Sequence, residues 1–141
     1  MADSELDTIL IGLHERFATV TALEALLDHE PRSIHNSSLL YSLYKETRRA
    51  QHGQVLSETH QFTHRACFSY ADPQAAEKAV RAVVTAVPLS VEQDPQLGRR
   101  ITSGGAVVEE GRGGFVLIDG TVYRVVDFTS TVVVKRPVQR A

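Results

Sequence analysis

The stretch at 59–70, THQFTHRACFSY, most restricts what this chain can become. His60, Phe62, His64, Ala66, Phe68 and Tyr70 fall on one side of an extended backbone, and Thr59, Gln61, Thr63, Arg65, Cys67 and Ser69 on the other. A helix would scatter these residues around its axis, so the run predicts a half-buried strand. It leads into Asp72-Pro73, an N-cap followed by proline at the first helical position, where a missing N–H costs nothing. Ala76, Ala79, Val80, Val83 and Val87 then share one helical face, and Pro88 is expected to close the helix. Such small residues suit close packing on a sheet.

The remaining elements are read around this pair. Leu6, Ile9, Leu10, Leu13 and Phe17 give an amphipathic first helix with Ser4 as its N-cap. Thr21 and Glu24 have capping-box spacing, and Ala22, Leu23, Leu26 and Leu27 supply the apolar face of a short second helix ended by Pro31. The run at 39–45 reads as a strand paired antiparallel with 59–70, with the polar 45–58 segment as a long exposed tip between them. Later, Gly104-Gly105 and the GRGG run at 111–114 are expected to be turns separating short strands at 106–110 and 115–118. Asp119-Gly120 reads as a two-residue hairpin turn. The run at 121–135 exceeds an average strand, so a bend or bulge is expected near Thr129 and Ser130. The expected fold is α+β: a mixed, mainly antiparallel sheet with helices packed on one face.

At 141 residues the chain fits a single domain, with a core at about 5–135 and a frayed, flexible tail at 136–141. Its one cysteine, Cys67, excludes an internal disulfide and a cysteine-based zinc site. A net charge of -2 argues against a dedicated nucleic-acid binder. No segment has the length of apolar sequence that a transmembrane helix needs, and the acidic N-terminus lacks the basic region of a signal peptide. The expectation is a soluble protein made in a reducing cytoplasm.

Candidate chemistry is sparse. His60 and His64 would share a helix face, but on a strand they lie about 13 Å apart, too far for one metal ion. Cys67 alternates to the face opposite His64, which leaves it without a base and reads as a small hydrophobe. Neither glycine run fits a phosphate-binding motif. Arg99-Arg100 and the group Lys45, Arg48 and Arg49 are basic clusters offset by acids, ordinarily a solvated loop. The sharper reading of the 45–58 tip is a partner-docking loop. No catalytic, cofactor-binding or metal-ligating constellation is expected.

Taken together, these segments resemble the tail terminator family of long-tailed bacteriophages, the tail-completion and tail-to-head joining proteins typified by the lambda terminator. The resemblance covers most of the chain. It is carried by the first helix ending HERF, the LLYSLYK strand, and HQFTHRACFSYAD running into AAEKAVRAVVTAV. It continues through DPQLGRRI and IDGTVYRVVDFTSTVVVK. It implies a structural virion protein that caps the tail tube as a homo-oligomeric ring, typically a hexamer, and offers the surface on which the head docks. Implied partners are the tail tube protein and a head-closure or neck protein, with DNA passing through the lumen without sequence-specific binding. The implied location is the head–tail junction of the virion, with assembly in the host cytoplasm. The strands at 39–45 and 121–135 are then the expected subunit edges. The 45–58 tip, with Lys45, Arg48, Arg49 and His52, is the expected contact to the tube or a neighbouring subunit. Alternative readings are another neck component, a head-closure or adaptor protein, or a small-molecule-binding α+β domain using His60 or His64.

Overall fold

The computed structural model describes residues 4–138. Its elements run α1 (Glu5–Phe17), β1 (Leu26–Leu27), β2 (Ser38–His52), β3 (Val55–Ser69), α2 (Pro73–Glu92), β4 (Gly104–Ile118) and β5 (Thr121–Pro137). The five strands form one sheet in the order β1-β2-β3-β5-β4. The short β1–β2 pair is parallel, and the other pairs are antiparallel. This is the expected α+β architecture with both helices on one face.

The alternation at 59–70 has the predicted consequence. His60, Phe62, His64, Ala66 and Phe68 are all buried beneath the helices. They meet Ile9, Leu13 and Phe17 from α1 and Ala76, Val80, Val83, Val87 and Val91 from α2, with Val126, Phe128 and Val132 contributed by β5. On the other face Leu39, Tyr41, Cys67, Tyr123 and Val125 form a smaller cluster against Ala25, Leu27 and Ile34. Ser4 caps α1 through a reciprocal capping box with Asp7, and the Asp72 carboxylate accepts from the Ala75 N–H to start α2.

The helix expected at 21–31 does not form. The Glu24 N–H donates to the Ser38 hydroxyl, the Ser37 hydroxyl donates to the Glu24 carboxylate, and the Leu40 N–H donates to the Ala25 carbonyl. These bonds draw the segment alongside β2 as β1. An extended backbone sends Leu26 to the helix-side core and Leu27 to the opposite cluster, whereas a helix would turn both toward one face.

Pro88 does not close α2, which continues to Glu92. An interior proline costs about 3 kcal/mol. The last turn offsets this by burying Val91 completely, worth about 1.5–3 kcal/mol. It is also tied to α1, because Arg16 Nε donates to the Ser90 carbonyl at 2.7 Å.

The 45–58 segment is a paired ladder, with only a two-residue turn at Gly53 and Gln54. Every residue from Glu46 to His52 has a partner between Val55 and Gln61, past a bulge between Tyr44 and Glu46. The GRGG run is likewise no turn but the middle of β4. An alanine Cβ at Gly113 would lie 3.0 Å from the Arg124 guanidinium, so glycine there makes room for a neighbouring side chain. At Gly104, with φ +120°, a Cβ would stand 1.9 Å from the Val133 carbonyl oxygen. Asp119 and Gly120, at φ 49° and 78°, do form the expected hairpin turn.

The bulge expected in β5 near Thr129 falls instead on the strand opposite, between Glu109 and Arg112, while β5 stays in continuous register with β3. Nor is β5 an edge: it lies between β3 and β4, because the β4–β5 hairpin folds with β5 inward. The sheet ends on β4 at one side. On the other, β1 covers only Leu40 and Tyr41, leaving β2 open from Ser42 onward. Of the expected tail, Arg136 and Pro137 belong to β5, held by pairing with Leu56 and Val55. Residues 139–141 lie outside the described residues.

Candidate docking surfaces and the buried polar chain

The ladder splits the four tip residues between two faces. Arg49 stands opposite Glu58 on the helix side and donates to its carboxylate at 3.0 Å. Arg48 alternates to the other side, where it is 78% exposed and reaches only Glu46 at 3.4 Å. Lys45 is the extra residue of the bulge and His52 ends the strand beside the turn; both are exposed. The structure therefore does not gather these residues into one site. Lys45, Arg48 and His52 stay at the surface, while Arg49 is committed to a buried acid.

Glu58 has a side chain only 4% exposed and is flanked by two cations, Arg49 and Arg136. Arg136 also reaches Glu5 at 3.2 Å. Glu5, Glu58 and His60 bring donor atoms within 4.8 Å of one another, a spacing that could hold a metal ion. Here the two guanidinium groups already supply the positive charge that the carboxylates need, so the arrangement reads as an arginine–carboxylate clasp joining α1, β2, β3 and β5. His60 Nδ1 shares a 2.9 Å hydrogen bond with the Thr47 hydroxyl, and burial lowers its pKa despite the facing Glu5 carboxylate.

The sheet interior holds a chain of polar groups. His14 Nε2 meets the Ser42 hydroxyl at 2.8 Å, Ser42 meets His64 Nδ1 at 2.6 Å, and His64 Nε2 meets the Ser130 hydroxyl at 2.7 Å. One proton per link, passed along the chain in either direction, satisfies every group with both imidazoles neutral. Burial pushes His64 down to about 3 and lowers His14 as well. A serine beside a histidine suggests a nucleophile, but Ser42 and Ser130 are both 0% exposed, so no substrate reaches either hydroxyl. The chain ties α1 to three strands of the sheet.

Sequence patterning flags His64 but not its partners. The available signal was phase: Ser130 lies in step with the core residues Val126, Phe128 and Val132, so its hydroxyl had to be buried with them. On the opposite face Arg65 grips Asp127 through two bonds of 2.7 and 3.0 Å. Burial pushes the neighbouring Cys67 thiol up to about 12, consistent with the hydrophobic role expected for it.

The clearest surface features lie at the two ends of the sheet. On the β4 side Phe115, Leu117 and Val107 are 58%, 66% and 49% exposed. On the β2 side a cleft of about 730 Å³ opens between α1 and β1, lined by Leu10, Ile11, Leu26 and Leu27 together with Asp7, Glu15 and Asp28. Its innermost polar group is His14, the outer end of the buried chain. No protein-family model matches this chain, and no curated protein matches it.

Proposed function

We propose that the chain is a structural protein of a long-tailed phage virion, a tail terminator that works as a closed ring on the tail tube and presents the surface on which the head docks. The observation that carries this reading is the pair of open sheet ends. A long edge strand bearing exposed apolar side chains is a liability for a solitary protein. Here β4 is such an edge, and β2 is open over most of its length. Copies joined end to end cover both, and a heterologous contact that closes on itself makes a ring.

The β2–β3 hairpin suits contact with the tube. Residues 48–55 are exposed throughout, yet the ladder, extended on its other side by β5, keeps them rigid. The near-neutral charge of -2 suits a conduit that DNA crosses without binding. Ser42 and Ser130, the hydroxyls nearest a histidine, are sealed from solvent, which favours assembly over catalysis.

The test is a chain reversed at Lys45 and Arg48 (Lys45→Glu with Arg48→Glu). Arg49 is left intact because reversal there would set a carboxylate against buried Glu58. The doubly reversed chain is expected to fold, by circular dichroism, while infectious particles fall sharply and unjoined heads and tails accumulate. Normal particle yield from that variant would refute a tube-docking role for the hairpin.

A further inference from the structure

We infer that the β4 end of the sheet in one copy seats in the α1–β1 cleft of the next. This rests on the ring reading above and assigns its interface. Four observations converge on it. First, the two surfaces lie at opposite ends of a five-stranded sheet, about 20 Å apart at the usual strand spacing, so one copy cannot use one on the other. A contact between them is head-to-tail and repeats from copy to copy.

Second, both present exposed apolar side chains to solvent. The β4 end offers Phe115 and Leu117 at 58% and 66% exposure, and the cleft rim offers Ile11 at 44%. Third, the charges are complementary. The acids lining the cleft are Asp7, Glu15 and Asp28; Arg100 pairs with Glu15 at 2.8 Å and His29 with Asp28 at 2.8 Å, so the cleft keeps only a net acidic character, and its histidine, His14, is held toward the neutral form by burial. On α2, Arg81 is exposed between Glu77, which binds Arg124 of β5 beside Phe115, and Val84, which packs at Gly111 of β4. That order along one helical face places Arg81 on the β4 side, among the exposed apolar residues.

Fourth, backbone is available at both ends. β4 has a neighbouring strand on one side only, and β2 loses its outer partner at Ser42, the residue that also meets His14 of the cleft. An incoming strand edge therefore finds apolar side chains, opposite charge and unpaired peptide groups at one place. A two-fold dimer would instead set each patch against its own copy, the acidic cleft against an acidic cleft.

The experiment blocks one end at a time. Leu117→Glu disables the β4 end and Ile11→Glu disables the cleft, both at exposed positions whose effect on folding is read by circular dichroism. In sedimentation velocity the wild-type chain associates, and each variant alone weakens association at least about tenfold. Mixed together, the two variants form a one-to-one pair and nothing larger, because each retains one intact end. As a charge test, Arg81→Glu and Asp28→Lys each weaken association, and the two in a single chain restore it. Variants that assemble like wild type, or a mixture that yields no pair, would overturn this interface while leaving the ring standing. A folded wild-type chain that stays monomeric even when mixed with tail tubes would overturn the ring itself.

Discussion

His64 gives the chain a calculable acid sensitivity. Its folded-state pKa of about 3 lies below the ordinary 6.5 because the imidazole is sealed between Ser42 and Ser130. Below pH 6.5 the unfolded chain takes up a proton that the folded chain refuses. The unfolded state then binds more protons, so stability falls as pH falls. The contribution of neutral His64 is fully present above pH 6.5 and is lost toward pH 3. Each pH unit is worth about 1.4 kcal/mol, so by two units below 6.5 the loss is about 2.7 kcal/mol. His14, lowered for the same reason, acts in the same direction. Urea unfolding of wild type and His64→Gln across pH 7.5 to 4.5 isolates the term, because the amide keeps a donor and an acceptor for the two serines but does not titrate. The variant is expected to be less stable at neutral pH and to lose less as the solution is acidified, so the two curves converge. Parallel curves would refute the reasoning, since they would mean that His64 protonates as readily in the folded chain as in the unfolded one.

The other consequences are local. Gly104→Ala should cost more than about 3 kcal/mol, since its Cβ collides with the Val133 carbonyl, whereas Gly53→Ala, in open space at φ 62°, should cost about 1 kcal/mol; thermal unfolding of the pair checks the contrast. Arg136→Ala removes one of the two cations on buried Glu58 and should lower stability by about 1–3 kcal/mol in urea, with part recovered by adding Glu58→Gln. Cys67, fully buried with its thiol pushed up to about 12, should resist alkylation at pH 8 in the native protein and react at once in urea.

Sequence periodicity carried furthest where one face alone is buried. The strand at 59–70, the faces of both helices, the Asp72 cap and the Asp119-Gly120 turn were all legible. Segments shaped by tertiary partners were not. Leu26 and Leu27 suit a helix face until Ser38 and the Leu40 N–H claim the backbone nearby, and Pro88 reads as a stop until the burial of Val91 and the Arg16 bond outweigh it. The glycines at 111–114 look like turn residues because the sequence does not show Arg124 arriving from the neighbouring strand. Of the candidate surface, the basic residues of the hairpin were visible, but their division between two faces depends on a bulge at Lys45 that no local signal announces. The cleft was hidden for the same reason as β1, since one of its walls is the segment read as a second helix.

We propose that this fold acts as a closed assembly on the end of a tube. Electron microscopy of the purified chain mixed with tail tubes, with its mass measured by light scattering, tests that claim most directly. The expected image is a ring of identical copies around a central hole, seated on one end of each tube. Tubes with bare ends beside a folded, monomeric chain would contradict it.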